Sequence, residues 1–100
     1  MKLIFHPQRS DAALVLSRVG DVLTINGEDF DFSGVSEGST LPKAAVASAW
    51  IAGDIERTGG VLSVPIVLPH GPRAPQGTRF AQPLTLTGDG PVVLPAYNEE

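Results

Sequence analysis

Asn26-Gly27 sits between two runs in which apolar and polar residues alternate, Val22 to Ile25 and Glu28 to Phe32. Both central residues of a type I′ turn need positive φ, and Asn followed by Gly adopts it at the least steric cost. The pair predicts a hairpin in which Ile25 faces Glu28, Leu23 faces Phe30 and Asp21 faces Phe32. Leu23, Ile25, Phe30 and Phe32 then share one face, and Val22, Thr24, Asp29 and Asp31 share the other. One buried face and one wet face point to an antiparallel sheet. Burying each large apolar side chain contributes about 1.5–3 kcal/mol. A one-residue slip would expose all four, so the register is firmly specified.

The flanking segments extend this pattern. Ala12 to Val19 has a helix reading, with Ser10 as a cap and Gly20 as a stop. A strand fits better, because Gly20-Asp21 as a turn pairs Val19 with Val22, Ser17 with Thr24 and Leu16 with Ile25. Only Arg18 against Leu23 is mismatched in polarity. Lys2 to His6 reads as a short strand that Pro7 ends or limits to an edge. Trp50 to Leu68 reads as a second hairpin around Thr58-Gly59-Gly60. There Glu56 is expected to face Val61, Ile55 Leu62, Gly53 Val64 and Ile51 Ile66. Pro65 lacks an N–H, so its nitrogen should face away from any neighbour, as on an edge strand. Leu84 to Thr87 and Val92 to Leu94 suggest a last hairpin around Gly88-Asp89-Gly90.

Between these strands, Ser33 to Thr40 reads as a loop. Pro42 followed by Ala44, Ala45, Ala47 and Ala49 suggests one short helix near residues 42–49. Residues 69–83 hold four prolines and two glycines and read as a long loop. Loops of that length in compact domains are uncommon and often functional. Residues 97–100 read as a frayed tail. The expected fold is therefore mainly β: antiparallel hairpins forming a small sandwich or open barrel, in one domain spanning 1–100.

Composition bounds the function. The net charge is −4, and the seven basic residues are scattered along the chain without a run. Nucleic-acid binding normally needs clustered cations, so it is disfavoured. There is no cysteine, which removes disulfides and thiolate metal sites. The apolar run near the start is three residues long, far short of a signal-peptide core, and no stretch approaches the length of a membrane helix. Cytoplasmic synthesis without export is expected, and no membrane partner is expected.

Few residues suggest chemistry. His6 stands before Pro7 as a strand-end residue without a partner motif. His70 opens His70-Gly71-Pro72-Arg73, where an imidazole, backbone N–H groups and a guanidinium could meet an anion; a rigid exposed turn is the plainer role. Arg79 lies in the same loop. Glu28, Asp29 and Asp31 read as a solvated strand face that discourages edge pairing, since a calcium site would need more donors. Trp50 is the single tryptophan, suited to core packing or to anchoring a partner. The Pro65 strand is a candidate docking edge. No Gly-x-Ser-x-Gly is present, and Gly59-Gly60 precedes no helix. The reading is of a non-enzyme with no cofactor; a small enzyme around His70 would lack a nucleophile–base pair.

Several segments together resemble a known group. They are Gly20-Asp21-Val22-Leu23-Thr24-Ile25-Asn26-Gly27-Glu28 with Phe30-Asp31-Phe32, and Leu41-Pro42 with Ala45-Val46-Ala47-Ser48. Trp50-Ile51-Ala52-Gly53-Asp54-Ile55-Glu56-Arg57, Val67-Leu68-Pro69-His70-Gly71, and Gly88-Asp89-Gly90-Pro91-Val92 through Leu94-Pro95 complete the set. The chain is similar, over nearly its whole length, to a family of small proteins encoded among the tail genes of proteobacterial phages and prophages. Arg73 and Ala74 depart from that pattern. The resemblance implies context and carries over no site residue. It implies a structural or protein-binding module of the tail, or a transient assembly factor for a tail-fibre protein. Its partners would be phage tail proteins or a second copy of the chain, and it would be incorporated into the virion or stay in the cytoplasm.

Overall fold

A computed structural model describes residues 1–73, 78 and 81–94. Nine strands account for most of the regular structure among them. They are β1 (Lys2–Arg9), β2 (Leu16–Val19), β3 (Val22–Ile25), β4 (Glu28–Asp31), β5 (Thr40–Leu41), β6 (Ile55–Thr58), β7 (Val61–His70), β8 (Leu84–Thr85) and β9 (Gly90–Pro91). The first sheet runs β5-β6-β7-β1-β8 and the second β4-β3-β2-β9. All pairings are antiparallel except the central β1–β7 pair, which is parallel. The fold is thus mainly β, and its two sheets share a single core as a small sandwich.

The core follows strand alternation. Leu3 and Phe5 of β1, and Leu62, Val64, Ile66 and Leu68 of β7, are buried from the first sheet. Leu16, Leu23, Ile25 and Phe32 meet them from the second sheet and its margin, with Val35, Ile51 and Ile55 filling in. The β2–β3–β4 meander has the register its turns predict: Val19↔Val22, Leu16↔Ile25, Leu23↔Phe30 and Ile25↔Glu28. Asn26 and Gly27 have φ of 49° and 85°, as a type I′ turn requires. The Asn26 side chain also ties down the chain before β2. Its Oδ1 accepts from the Val15 N–H (2.7 Å) and its Nδ2 donates to the Ala13 carbonyl (2.9 Å). The mismatched Arg18 reaches past Leu23: its guanidinium donates to the carbonyls of Gly20, Leu86 and Gly88.

Four expectations are corrected. First, the β6–β7 turn contains two residues, Gly59 and Gly60, with φ of 61° and 78°. Thr58 therefore faces Val61 and Glu56 faces Ser63. Ile51 still faces Ile66 as expected. From Ile51 to Glu56 the chain takes five steps against three between Ser63 and Ile66, so a bulge lies between. The slip at the turn is two residues, an even number, so the same apolar set stays buried.

Second, Pro65 is in an interior strand. β7 pairs with β1 along Ser63–His70, and Pro65 lies opposite Ile4. Its carbonyl accepts from the Ala52 N–H (3.0 Å), so its backbone faces the bulge, the one stretch of this neighbour that demands no ladder donor. Pro7 and Pro69 are tolerated for the same reason. The Met1 carbonyl accepts from Leu86 N–H, and the His70 carbonyl from Ser10 N–H, so odd-numbered residues of both strands turn away from the β1–β7 ladder. β1 accordingly runs through Pro7 to Arg9, and β7 through Pro69 to His70.

Third, residues 84–94 form no hairpin. β8 joins β1 in the first sheet, and β9 joins β2 in the second. The turn between them is held at the sandwich corner, where the Asp89 carboxylate accepts from the Gly20 N–H (2.9 Å) alongside the Arg18 bonds. Fourth, the helix near 42–49 is a single 3₁₀ turn, Lys43–Ala45. Val46 leaves it in an extended conformation to pack on the core. The expected tail at 97–100 lies outside the described residues.

Candidate functional site

The loop that carries His70 opens where β1 and β7 end together, with Arg9 opposite His70. His70 is half-buried, and its Nδ1 lies 3.0 Å from the Gly71 carbonyl. A carbonyl only accepts, so a hydrogen bond here requires the proton on Nδ1. That side-chain bond stays within the loop and engages no nucleophile. Exposed Arg73 follows two residues after Gly71. Arg79 lies outside the described residues. Beside this loop a cleft of about 250 Å³ is lined by Asp11–Leu14, Leu68, Pro69 and Leu94. Its walls are mostly apolar, and it brings none of the other candidate residues to His70. Among the described residues, no three His, Asp or Glu side chains group as a metal site would.

Trp50 is half-buried and packs against the core from the margin of the first sheet. Its carbonyl accepts from Val67 N–H (2.8 Å), which fixes the strand beyond the bulge. Pro65 lies in contact range of Gly53, where an added Cβ would approach the proline ring at 3.4 Å. Pro65 therefore offers no docking edge, because both sides of its strand are occupied.

The second sheet presents two surfaces: a face that the sequence reading did not single out, and the edge whose acidic row it did. On its outer face, Val15, Val19 and Val93 are 68%, 65% and 88% exposed. The β2–β9 register, Ser17↔Pro91 with Val92 N–H donating to the Leu16 carbonyl, sets Val93 across from Val15. Val15, Ser17 and Val19 alternate with buried Leu16, so the outward valines were visible as a period-2 pattern once Leu16 was known to point inward.

The other surface is the free edge of β4. Glu28, Asp29 and Asp31 stand there exposed, with Phe30 half-buried between the two aspartates. The Phe30 and Phe32 rings stack at 6.5 Å. A groove of about 280 Å³ runs between this strand and the 3₁₀ turn, lined by Phe30, Phe32, Leu41 and Val46 with Ala45 and Ala47, and by Asp29 and Asp31 along the strand. Asp29 Oδ1 accepts from the Thr24 hydroxyl (2.6 Å), and Asp31 Oδ1 from the Ser33 N–H (2.9 Å). The bonds from the Ser33 backbone and then its hydroxyl hold the Asp31 carboxyl below the usual carboxylate range, so it is ionised at neutral pH.

No helix among the described residues is long and apolar enough to cross a membrane. No family model, curated protein or solved structure matches this chain.

Proposed function

We propose that this chain is a phage tail-associated module that acts by protein–protein contact, with a tail protein as its partner. The tail context rests on the resemblance of its segments to proteins encoded among tail genes. The contact role rests on one observation: Val15, Val19 and Val93 stand exposed together on the outer face of the second sheet. Each valine left in water forgoes about 1.5–3 kcal/mol that burial contributes. Val93 stands across from Val15, and Val19 lies on the same face beyond Ser17; an exposed apolar face of this kind suits a contact.

The test is mass spectrometry of purified phage particles from a host that carries the gene, with the wild-type chain and with a Val15→Ser/Val19→Ser/Val93→Ser variant. Stoichiometric wild-type chain in particles, with loss of a folded variant, supports the reading. Wild-type chain abundant in the lysate and absent from particles makes it an assembly factor instead. Particles that retain the variant as well as the wild type remove the valine face from the contact.

A further inference from the structure

We infer that the free edge of β4 takes up an extended peptide segment whose side chains alternate between basic and apolar. The surface is separate from the valine face, and the inference does not depend on the tail reading.

The backbone argument comes first. Among the described residues β4 ends the second sheet, with β3 on one side only. The two-residue turn makes Ile25 and Glu28 a hydrogen-bonded pair. Phe32 N–H donates to the Asp21 carbonyl at 2.9 Å, which continues that alternation. Glu28, Phe30 and Phe32 thus spend their backbone groups on β3, and Asp29 and Asp31 direct theirs outward. An added strand would find two N–H donors and two carbonyl acceptors in line, the arrangement used in strand addition.

Side chains on the two faces of this edge then select the occupant. On the inner face, the part of the groove walled by Phe30, Phe32, Leu41 and Val46 receives every second side chain of the incoming strand. On the outer face, Asp29 and Asp31 stand exposed where the alternate side chains fall, Asp29 bonded through Oδ1 to the Thr24 hydroxyl and Asp31 bonded by Ser33. A lysine or arginine there meets an ionised carboxylate across the strand gap. A second copy of this chain fits poorly, because antiparallel β4–β4 pairing sets carboxylates opposite carboxylates, which is destabilising. The acidic row that blocks self-pairing is therefore complementary to a basic strand.

The test uses the full chain and synthetic peptides. Backbone amide NMR would follow titration with acetyl-Lys-Val-Lys-Val-Lys-amide, the same peptide N-methylated on alternate residues, and one with serine in place of valine. The expected result is shifts centred on Asp29 and Asp31, weakened by salt. The serine peptide and the peptide N-methylated on the bonding edge should each bind at least about tenfold more weakly, as loss of apolar burial or of main-chain bonds entails. An Asp29→Asn/Asp31→Asn variant, isosteric and so expected to fold, should weaken binding of the first peptide and flatten its salt dependence. Equal binding of all three peptides, shifts centred elsewhere, or no binding at millimolar peptide would each overturn the inference. Concentration-dependent shifts at Asp29 and Asp31 without peptide would also overturn it, by showing a second copy on the edge.

Discussion

Arg57 Nη2 donates to Asp21 Oδ2 at 2.9 Å, joining β6 of the first sheet to the β2–β3 turn of the second. The same guanidinium donates through Nε to the Val35 carbonyl, while the Arg57 backbone pairs with Gly38 and Ser39. One residue thus fastens both sheets and the loop between them. The Arg57–Asp21 pair is partly open to solvent, at 17% and 36% side-chain exposure, so screening holds it to about 1 kcal/mol, whereas the charged hydrogen bond to the Val35 carbonyl adds about 1.5–3 kcal/mol. Arg57→Met should therefore lower stability by about 2–3 kcal/mol, and Asp21→Asn by less than about 1 kcal/mol. Urea unfolding of both variants measures this. Equal losses would mean that the ion pair, not the bond to Val35, carries the effect.

Glu37 acts on the β6–β7 turn from outside it. Its two carboxylate oxygens accept from the Gly59 and Gly60 N–H groups at 2.8 and 2.6 Å. Glu37→Ala leaves both donors to water and should cost about 1–2 kcal/mol, whereas Glu37→Gln keeps one acceptor and should cost less. Amide hydrogen exchange at Gly59 and Gly60 reports it directly: both should exchange faster in the alanine variant.

Asn26 serves two ends, the turn conformation and the chain before β2. Asn26→Gly keeps positive φ and loses the bonds to Val15 and Ala13. Each exposed bond contributes about 0.5–1.5 kcal/mol, so the glycine variant should lose about 1–2 kcal/mol. Asn26→Ala adds the strain of a left-handed alanine, roughly 1 kcal/mol more. Thermal or urea denaturation of the pair separates the two contributions. Identical stabilities would show that the turn tolerates alanine and the strain argument fails.

Asp31 sets the expected acid response at the edge of β4. Its carboxyl is held below the ordinary range by the Ser33 N–H and then the Ser33 hydroxyl. A depressed folded-state value means a contribution fully present above the unfolded value, near about 3.9, and lost as pH falls through the lower folded one. Wild type should therefore lose its stability advantage over Asp31→Asn on acidification from about pH 6 to about pH 2. Urea midpoints of the two proteins should converge with falling pH. A constant gap would show that Ser33 does not favour the ionised form.

Local chemistry determined much of this molecule. The β2–β3–β4 meander, its register and its buried face follow from Gly20-Asp21, Asn26-Gly27 and the alternation around them, since turn and strands lie within a few residues of one another. The second hairpin was legible in its faces and in Ile51↔Ile66, but its turn was misjudged by two residues because Thr58 joins the strand. Of the candidate site residues, His70 and Arg73 share one loop as sequence neighbours must, and Trp50 lies at the margin of the core. The groove beside β4 joins residues near 30 to residues near 45, and no local spacing announces it.

Tertiary structure alone decided the rest. The parallel β1–β7 pair joins Lys2 to Ser63, and a parallel partner carries no turn between its strands to mark it. Pro7 reads as a strand end or an edge, Pro65 as an edge and Pro69 as the start of a loop, yet each falls where its nitrogen turns away from the β1–β7 ladder, a parity that exists only once the partners are known. The segments after residue 83 were placed by Arg18 and Asp89 at the sandwich corner, so β8 and β9 entered different sheets and did not pair with each other. Turn residues and alternation act over short separations and are written in the sequence. Which distant strand satisfies a given row of backbone groups depends on what the assembled core leaves open.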